Sequence, residues 1–338
     1  MVKATLKFNS AMNTLRPLLV FGPRKSGTTL LHNLLDGSGE LIMIPGELKL
    51  QRISRQQLLA PAQQRRRYLH RGRLDFERMM TWRDERPETT TDFAFDGLSV
   101  PQTREVFDID NYVAQLREIL EDDGLTTRDI IERDVAAFVG AVRQPSPHLK
   151  YWASKEVSSR PKVALGVWKD LFPEGRVVFL VRQPFFVVRA ILNDRRRKSI
   201  TMSVREIISH CVEAQHLVNF AFQLSHEKEE EQAVFVSYEK LTSDTEGEMK
   251  RVSRHLGIIF EPILSQPTTL GLPMVVRTSS RATTAVFQQE SDWRKGLTAR
   301  EIRAITIYQK LEPLLFKARR EQVVPYVEMQ ARIQQLAP

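Results

Sequence analysis

A basic loop between Gly22 and Thr29 has the residue types needed to bind an anion. An apolar run ends at Gly22, the cations Arg24 and Lys25 follow, and helical periodicity begins at Thr28. The first N–H groups of a helix have no acceptor within the helix and lie at the positive end of its dipole, so they attract phosphate and sulfate groups. The pattern therefore predicts a strand, an anion-binding turn and a helix, in that order.

The glycine spacing of this loop is that of nucleoside-triphosphate-binding loops, but its cation is placed differently. Gly22 and Gly27 have the expected separation, yet Gly27 is followed by Thr28 and Thr29 instead of a lysine and a magnesium-binding hydroxyl. The lysine lies inside the loop, at Lys25, where it can contact a transferring group or a leaving phosphate. We therefore expect a ligand that carries phosphate, and the motif implies no metal ion.

Three short apolar segments are predicted to be buried strands of a parallel sheet, and each is followed by a turn and a helix. The strands are Leu18–Phe21, Val177–Val181 and Ala233–Ser237, and the helices are Thr28–Leu35, Phe185–Asn193 and Glu246–Leu256. This alternation predicts an open α/β sheet with flanking helices, whose ligands bind beyond the carboxyl ends of the strands. Because Arg182 and Tyr238 follow the second and third strands, we expect them near the basic loop.

The rest of the chain is predicted to be mainly helical. Apolar periodicity indicates helices over Val113–Leu120, Val204–Leu224 and Thr298–Arg320. The segment of about 51–150 is polar, with an arginine-rich first half, and we interpret it as a helical insertion or lid that shapes an acceptor site. Since the sequence shows no internal repeat and no low-complexity tract, we expect a single domain over 1–338.

The composition is that of a soluble globular protein with a basic surplus. Hydrophobic residues make up 42% and charged residues 27%, and 50 Lys+Arg against 41 Asp+Glu give a net charge of +9. Such a surplus suits an anionic ligand or a nucleic acid, although ordinary surface cations explain it equally well. The single cysteine, Cys211, excludes an internal disulfide and is expected to be an inert core residue. With no apolar membrane-spanning stretch and no visible signal peptide, we expect a soluble, cytoplasmic protein.

Four blocks of the sequence, in matching order, resemble the sulfotransferases that use 3′-phosphoadenosine-5′-phosphosulfate (PAPS). They cover about half of the chain: Pro23–Leu30, then Leu171–Pro173 with Val177–Pro184, then Ser237–Leu241 with Leu256–Ile258, and finally Ser291–Leu297. The first block is similar to the family's 5′-phosphosulfate loop and the second to its 3′-phosphate segment. The resemblance implies a P-loop-like sulfotransferase fold, PAPS as the sulfuryl donor and no metal.

The resemblance also implies which residues bind this cofactor. They are Arg24, Lys25, Ser26, Gly27, Thr28, Thr29, Arg182 and Tyr238. Lys25 would stabilise the leaving group, and Arg182 would bind the 3′-phosphate, for which the planar guanidinium is well suited. Tyr238 resembles the family tyrosine near the adenine, although a core tyrosine that closes a strand explains it equally well.

For the catalytic base, the family offers two precedents. Cytosolic small-molecule sulfotransferases use a histidine in a Lys-x-His segment, but the corresponding Ser154-Lys155-Glu156 contains none. Tyrosylprotein and several bacterial sulfotransferases use a glutamate in a Gly-Glu setting, which Gly46-Glu47 matches. Glu47 is therefore the predicted base, with Lys155 as a second catalytic cation, while a helix-capping or surface role for Glu47 stays open. His32 is expected to be a packing or surface residue.

One position departs from the family pattern. The serine that the family carries eight residues after its 3′-phosphate arginine is Ala190 here. A lost hydrogen bond to a charged group costs about 1.5–3 kcal/mol. Either Arg189, Asn193 or Arg281 compensates, or affinity for the 3′-phosphate is reduced.

Two other functions stay open from the sequence. A nucleotide kinase or another P-loop nucleotide-binding protein has similar sheet topology, although Thr28 occupies the position of its lysine. A basic nucleic-acid-binding module would use the positive charge. For a sulfotransferase we expect a small-molecule, glycan or peptide acceptor and no nucleic acid. The arginines of the insertion weakly favour an anionic acceptor, and the sequence does not indicate the oligomeric state.

Overall fold

A computed structural model of the chain describes residues 15–50, 95, 97–122, 124–226, 233–274, 276–277, 282–283, 286, 290–319 and 321–336. The strands are β1 Arg16–Gly22, β2 Leu41–Glu47, β3 Tyr151–Val157, β4 Arg176–Val181 and β5 Ala233–Ser237, followed by the two-residue strands β6 Thr268–Thr269, β7 Leu272–Pro273, β8 Val276–Arg277 and β9 Ala282–Thr283. The helices are α1 Thr28–Leu35, α2 Val100–Val106, α3 Ile109–Glu121, α4 Thr127–Ala141, α5 Pro161–Leu171, α6 Pro184–Arg197, α7 Val204–Leu224, α8 Tyr238–Ser243, α9 Thr245–Leu256, α10 Ala299–Ala318 and α11 Tyr326–Gln335, and a 3₁₀ turn covers Pro262–Ser265.

The first five strands form one parallel sheet in the order β2-β3-β1-β4-β5. β1 lies in the middle, so the basic loop that follows it emerges at the centre of the carboxyl edge. The predicted strands β1, β4 and β5 are confirmed as neighbours, and the predicted α/β class is confirmed with them. The turns after β4 and β5 therefore lie beside the basic loop.

The strands β2 and β3 were not predicted from the sequence. β2 carries Pro45 and Gly46 near its end, and β3 contains the polar run Ser154-Lys155-Glu156 before its last residue, so neither is a continuous apolar segment. β3 is nevertheless an inner strand, paired with β1 from Arg16↔Tyr151 to Gly22↔Val157. Its position between two strands determined its conformation, which local composition did not indicate.

Helices cover both faces of the sheet, which explains why β1 is apolar and buried after its first residue, Arg16. Leu19 and Phe21 belong to one buried cluster, together with residues of α3, α4, α5 and α7. Leu18 and Val20 belong to a second cluster, with residues of α1 and α9. The alternation follows from the two-residue period of a strand. Because both faces are buried, the alternation fixes the register of β1 in the sheet and with it the position of the loop that follows.

A third cluster joins α6, α7 and α10 and contains Cys211. The thiol is fully buried, and this burial raises its pKa to about 12. The prediction of an inert core cysteine is confirmed.

Of the predicted insertion, the structure describes three helices, α2, α3 and α4, whereas 51–94 lies outside the described residues. The helix predicted over Val113–Leu120 is confirmed within α3. Buried residues of α3 and α4 share the core cluster of the sheet, and the Tyr112 hydroxyl donates to Asp134 at 2.6 Å. These helices are thus part of the domain core, and the role of the region in acceptor binding stays a prediction.

Side-chain caps begin most of the described helices, with α1 among the exceptions. Capping boxes pair the residues Ser99 with Gln102, Thr126 with Asp129, Ser203 with Glu206, and Thr298 with Glu301. α1 instead begins after Gly27, which has no side chain to accept from the first N–H groups. Among the helices in the described ranges, none is long and apolar enough to cross a membrane.

Candidate functional site

The basic loop after β1 folds as a tight turn into α1. Lys25 and Gly27 have left-handed backbones, with φ of 63° and 103°. The Ser26 N–H donates to the carbonyl of Pro23 at 3.1 Å, and the Leu31 N–H donates to the carbonyl of Gly27 at 3.1 Å, which starts the helix. The preceding N–H groups of the first turn therefore meet a basic loop and no side-chain cap, an arrangement that binds anions.

Arg182 and Tyr238 pack directly against this loop. The guanidinium carbon of Arg182 lies 4.0 Å from the centre of the Tyr238 ring, and its Nη1 donates to the carbonyl of Lys25 at 2.8 Å. A stacked guanidinium of this kind is held by cation–π attraction. The carboxyl ends of β1, β4 and β5 are thus joined by a single set of contacts. Tyr238 is only 8% exposed, and its place near the adenine stays a prediction.

The close approach of Tyr238 makes Gly27 the most sterically restricted position of the loop. A Cβ placed at Gly27 would lie 2.3 Å from Cδ2 of the Tyr238 ring, and the left-handed φ adds strain for any other residue. If the cofactor is PAPS, as the resemblance implies, Gly27→Ala should displace the ring and weaken the binding of the desulfated form, 3′-phosphoadenosine-5′-phosphate (PAP), by about tenfold or more, measured by calorimetry.

A matched control is Gly257→Ala. Gly257 also has a positive φ, of 68°, but apart from its chain neighbours no atom of the described residues lies within 4 Å of its added Cβ. That variant should lose only the stability that the backbone strain costs, about 1 kcal/mol, and should bind PAP normally. Equal binding by both variants would show that the Tyr238 contact does not shape the anion site.

The remaining side chains of the loop divide into an inner and an outer set. Ser26 is fully buried and Thr28 is buried, so their side chains lie on the inner side of the turn. Arg24 and Thr29 are exposed and lie on the outer side. The predicted roles of all four in cofactor binding stay predictions, and Thr29 and Arg24 have the side chains that a ligand can reach.

Asp194 is the principal site residue that the sequence analysis missed. Its carboxylate, on α6, lies 3.2 Å from Nζ of Lys25 and 3.7 Å from Nη2 of Arg24. Arg197 and Lys198 of the same helical end also pair with it, at 3.0 and 3.3 Å. Burial alone would raise the pKa of Asp194, but the bonds and charges of Lys25 and Lys198 hold it below its usual value. The spacing to Arg197 and Lys198 was readable from sequence, whereas the contact with the loop was not.

Glu47 and Lys155 lie on the other side of the loop, on neighbouring strands. Glu47 ends β2 opposite Lys155 of β3 in the sheet register. Nζ of Lys155 donates to Oγ1 of Thr29 at 3.1 Å, which connects β3 to the start of α1. The Glu47 side chain is 26% exposed and is paired with Lys49. The structure therefore brings the predicted base, the second cation and the basic loop to one edge of the sheet.

A second carboxyl group, that of Glu156, lies buried beside Glu47. Its Oε2 accepts from the Leu50 N–H at 3.2 Å, so it fastens the chain that leaves β2. The side chain is 0% exposed, and this burial, with a smaller contribution from the charge of Glu47, raises the pKa of Glu156 to about 8. At neutral pH Glu156 is therefore mainly protonated, and it adds little negative charge next to Glu47.

The raised pKa of Glu156 makes stability depend on pH in a defined direction. Its value in the unfolded chain is near 4.5, so between about pH 5 and about pH 8 the folded state binds more protons and stability falls as pH rises. Glu156→Gln should remove this contribution, at about 1.4 kcal/mol for each unit of raised pKa. Urea unfolding of both proteins across this range measures the difference, and parallel curves would contradict the assignment.

His32 is a buried packing residue, as expected. Its Nε2 lies 3.1 Å from the carbonyl of Ile44, so it connects α1 to β2. Burial, followed by the charge of Lys155, lowers the pKa of His32 to about 4, so the ring is neutral and donates this hydrogen bond.

Glu239 links the site to the C-terminal helix, a connection that the sequence did not indicate. Its carboxylate accepts from the Gln183 N–H at 3.2 Å, next to the turn after β4, and it also accepts from the Tyr326 hydroxyl of α11. The hydroxyl of Ser237 donates to the same carboxylate at 3.2 Å. The turns after β4 and β5 are thereby held together through one partly buried acid.

The groups considered as substitutes for the missing hydroxyl at Ala190 are largely engaged elsewhere. Nη1 of Arg189 donates to a carboxylate and a carbonyl in the segment 290–292, at 3.0 and 3.1 Å. Asn193 accepts from an arginine of its own helix at 3.4 Å. Arg281 lies outside the described residues. Compensation at the 3′-phosphate therefore stays a prediction.

Comparison with known proteins identifies the family of the chain. Residues 17–262 match the model of the sulfotransferase family. No curated protein sequence matches the chain.

Three solved sulfotransferase structures are similar to the chain. The sulfotransferase domain of the olefin synthase from Synechococcus PCC 7002 is 17% identical, with a TM-score of 0.51 over 88% of this chain and 95% of that one. The sulfotransferase domain from the curacin biosynthetic pathway is 17% identical, with a TM-score of 0.49 over 87% and 98%. A sulfotransferase from Alicyclobacillus acidocaldarius is 15% identical, with a TM-score of 0.40 over 88% and 95%. The first likeness shows a shared fold.

Proposed function

Because the chain belongs to the sulfotransferase family, we propose that it transfers the sulfuryl group of PAPS to a hydroxyl or amine acceptor. The observation that carries this proposal is the anion site after β1. There an uncapped helix start adjoins Lys25, and Arg182, which follows the neighbouring strand β4, lies within hydrogen-bond distance of the Lys25 carbonyl. A donor with phosphate at two places needs two such cationic positions on neighbouring strand ends.

The residues present are suited to this donor. The N–H groups at the start of α1 follow Gly27, which offers no side-chain acceptor, so they can bind phosphosulfate oxygens. The loop and the end of α6 supply four cations around one carboxylate, Asp194, so the surface of the loop stays positively charged. Arg182 would bind the 3′-phosphate, with the family serine replaced by Ala190.

PAPS supplies a sulfuryl group on a phosphate leaving group, so the acceptor oxygen or nitrogen bonds to sulfur as the sulfur–oxygen bond to phosphate breaks. Glu47 takes the proton that the acceptor loses, as its carboxylate is partly exposed at the strand edge. Lys25 and the first N–H groups of α1 hold the charge that develops on the leaving phosphate. Lys155, bonded to Thr29, adds a positive charge between the loop and Glu47.

This mechanism needs no metal ion, because side chains supply the cations. The acceptor would be a small molecule, a glycan or a peptide, and the enzyme would belong to the EC 2.8.2 type. The proposed acceptors include no nucleic acid.

Ligand titration tests the proposal directly. PAP, adenosine monophosphate and ATP are titrated into the protein by calorimetry, and an acceptor screen with labelled PAPS follows. We expect PAP to bind tightest, and the monophosphate to bind at least about tenfold more weakly because it lacks the 3′-phosphate. Tighter binding of ATP than of PAP would overturn the proposal in favour of a nucleoside-triphosphate enzyme.

A further inference from the structure

The buried carboxylate of Asp194 occupies an unusual place for an acid, next to a loop that binds anions. The residue is 5% exposed, and its four cationic partners come from two different elements. Arg24 and Lys25 reach it from the loop after β1, and Arg197 and Lys198 from the end of α6. Because a buried carboxylate is stable only when it is paired, these contacts fix the position of the loop relative to α6.

The contact with Lys25 restricts a side chain that is otherwise mobile. A lysine has a four-carbon stem with many rotamers, and ordering it costs up to about 2 kcal/mol of conformational entropy. Nζ of Lys25 lies 3.2 Å from Oδ1 of Asp194, the one acid with which it is paired within the described part of the chain. An ammonium group has three N–H donors, so a bond to Asp194 leaves donors for a ligand.

We propose that Asp194 is a positioning residue, which holds the Lys25 ammonium group in the place where it meets the leaving phosphate. The inference rests on the proposed function, since it assigns Lys25 its task. Asp194 itself does not touch the reacting atoms. It determines where the ammonium group stands before the donor arrives, and preorganised charges of this kind lower the barrier without reorganisation during the reaction.

If Asp194 has this role, its removal should affect PAP affinity and kcat in opposite directions. Asp194 carries a negative charge beside an anion site, so it weakens the attraction between the site and PAP. Asp194→Asn removes this charge and also releases Lys25. We therefore expect PAP to bind as tightly as before or up to about tenfold tighter, while kcat falls by about 10- to 100-fold. A residue that served stability alone would lower binding and turnover together.

The experiment compares four proteins: wild type, Asp194→Asn, Lys25→Met and the double variant. PAP affinity is measured by calorimetry, and kcat is measured with labelled PAPS and an acceptor from the screen. If Asp194 acts through Lys25, Asp194→Asn should change kcat by less than about twofold in the Lys25→Met background. A full loss in that background, or a parallel loss of PAP affinity and kcat in the single variant, would overturn the proposal.

Glu301→Gln is a matched control, because Glu301, on α10, pairs with Arg196 of α6 and with Thr298 at the start of its own helix. It raises the net charge by the same amount, so PAP affinity and kcat should stay within about twofold of wild type.

If Asp194→Asn does not fold, Asp194→Glu keeps the charge but moves it by one methylene. That variant should bind PAP like the wild type with a kcat several-fold lower, and an unchanged kcat would overturn the proposal. Failure of the wild type to bind PAP would instead overturn the proposed function, so the two failures are distinguishable.

Discussion

Replacing Glu47 with glutamine should lower kcat by about 10²- to 10⁴-fold while PAP affinity stays within about twofold. Glutamine has the size of glutamate but cannot accept a proton from the acceptor. The carboxylate ends β2 in register with Lys155 and lies on the partly exposed strand edge, so its loss does not disturb the loop that binds the donor. The measurement combines PAP calorimetry with kcat for labelled PAPS.

Glu156→Gln is the matched control for this experiment. Glu156 lies on the neighbouring strand, but its pKa of about 8 keeps it mainly protonated at neutral pH, and glutamine closely resembles that neutral form. Its kcat should therefore stay near that of the wild type at pH 7. An unchanged rate in Glu47→Gln would place the base elsewhere. An equal loss in both variants would show that the strand edge has a structural role.

The elements that were predicted correctly from the sequence are those whose hydrophobic pattern matches their secondary structure. β1, β4 and β5 are continuous apolar runs covered by helices on both faces, and α1 and α7 have the predicted bounds, Thr28–Leu35 and Val204–Leu224. β2 and β3 carry proline, glycine and charged residues at their functional ends. The polar, proline and glycine residues that surround Glu47 and Lys155 therefore interrupt the apolar pattern by which a buried strand is predicted from sequence.

The candidate site shows a similar division. Contacts within the loop are made between residues close in sequence, so the places of Lys25 and Gly27 in the turn before α1 could be predicted from their spacing. The contact of Asp194 with Lys25, and that of Tyr326 with Glu239, join elements distant in sequence. Such contacts depend on the angle at which helices pack on the sheet, and no periodicity in one sequence specifies that angle.

Replacing Lys25 with methionine should lower kcat by about 10²- to 10³-fold, the usual cost of removing one group that stabilises transition-state charge. Methionine keeps an unbranched stem and tolerates the left-handed φ of 63° no worse than lysine, so the variant removes the charge with little change in the backbone. PAP affinity should fall less, by about tenfold, because the N–H groups of α1 and Arg182 stay in place. The contrast between the two losses measures how much of the lysine's contribution appears only in the transition state.

Arg24→Met tests whether the position of the charge matters or only its presence. Arg24 lies in the same loop and reaches the same carboxylate, but its side chain is 44% exposed, against 30% for Lys25, and its distance to Asp194 is 3.7 Å instead of 3.2 Å. Both variants remove one positive charge from the loop. A general electrostatic effect would lower kcat equally in the two proteins, whereas a leaving-group role for Lys25 requires the loss in Arg24→Met to be at least about tenfold smaller. Equal losses would contradict the assignment of Lys25 and leave the loop as a binding site for the donor alone.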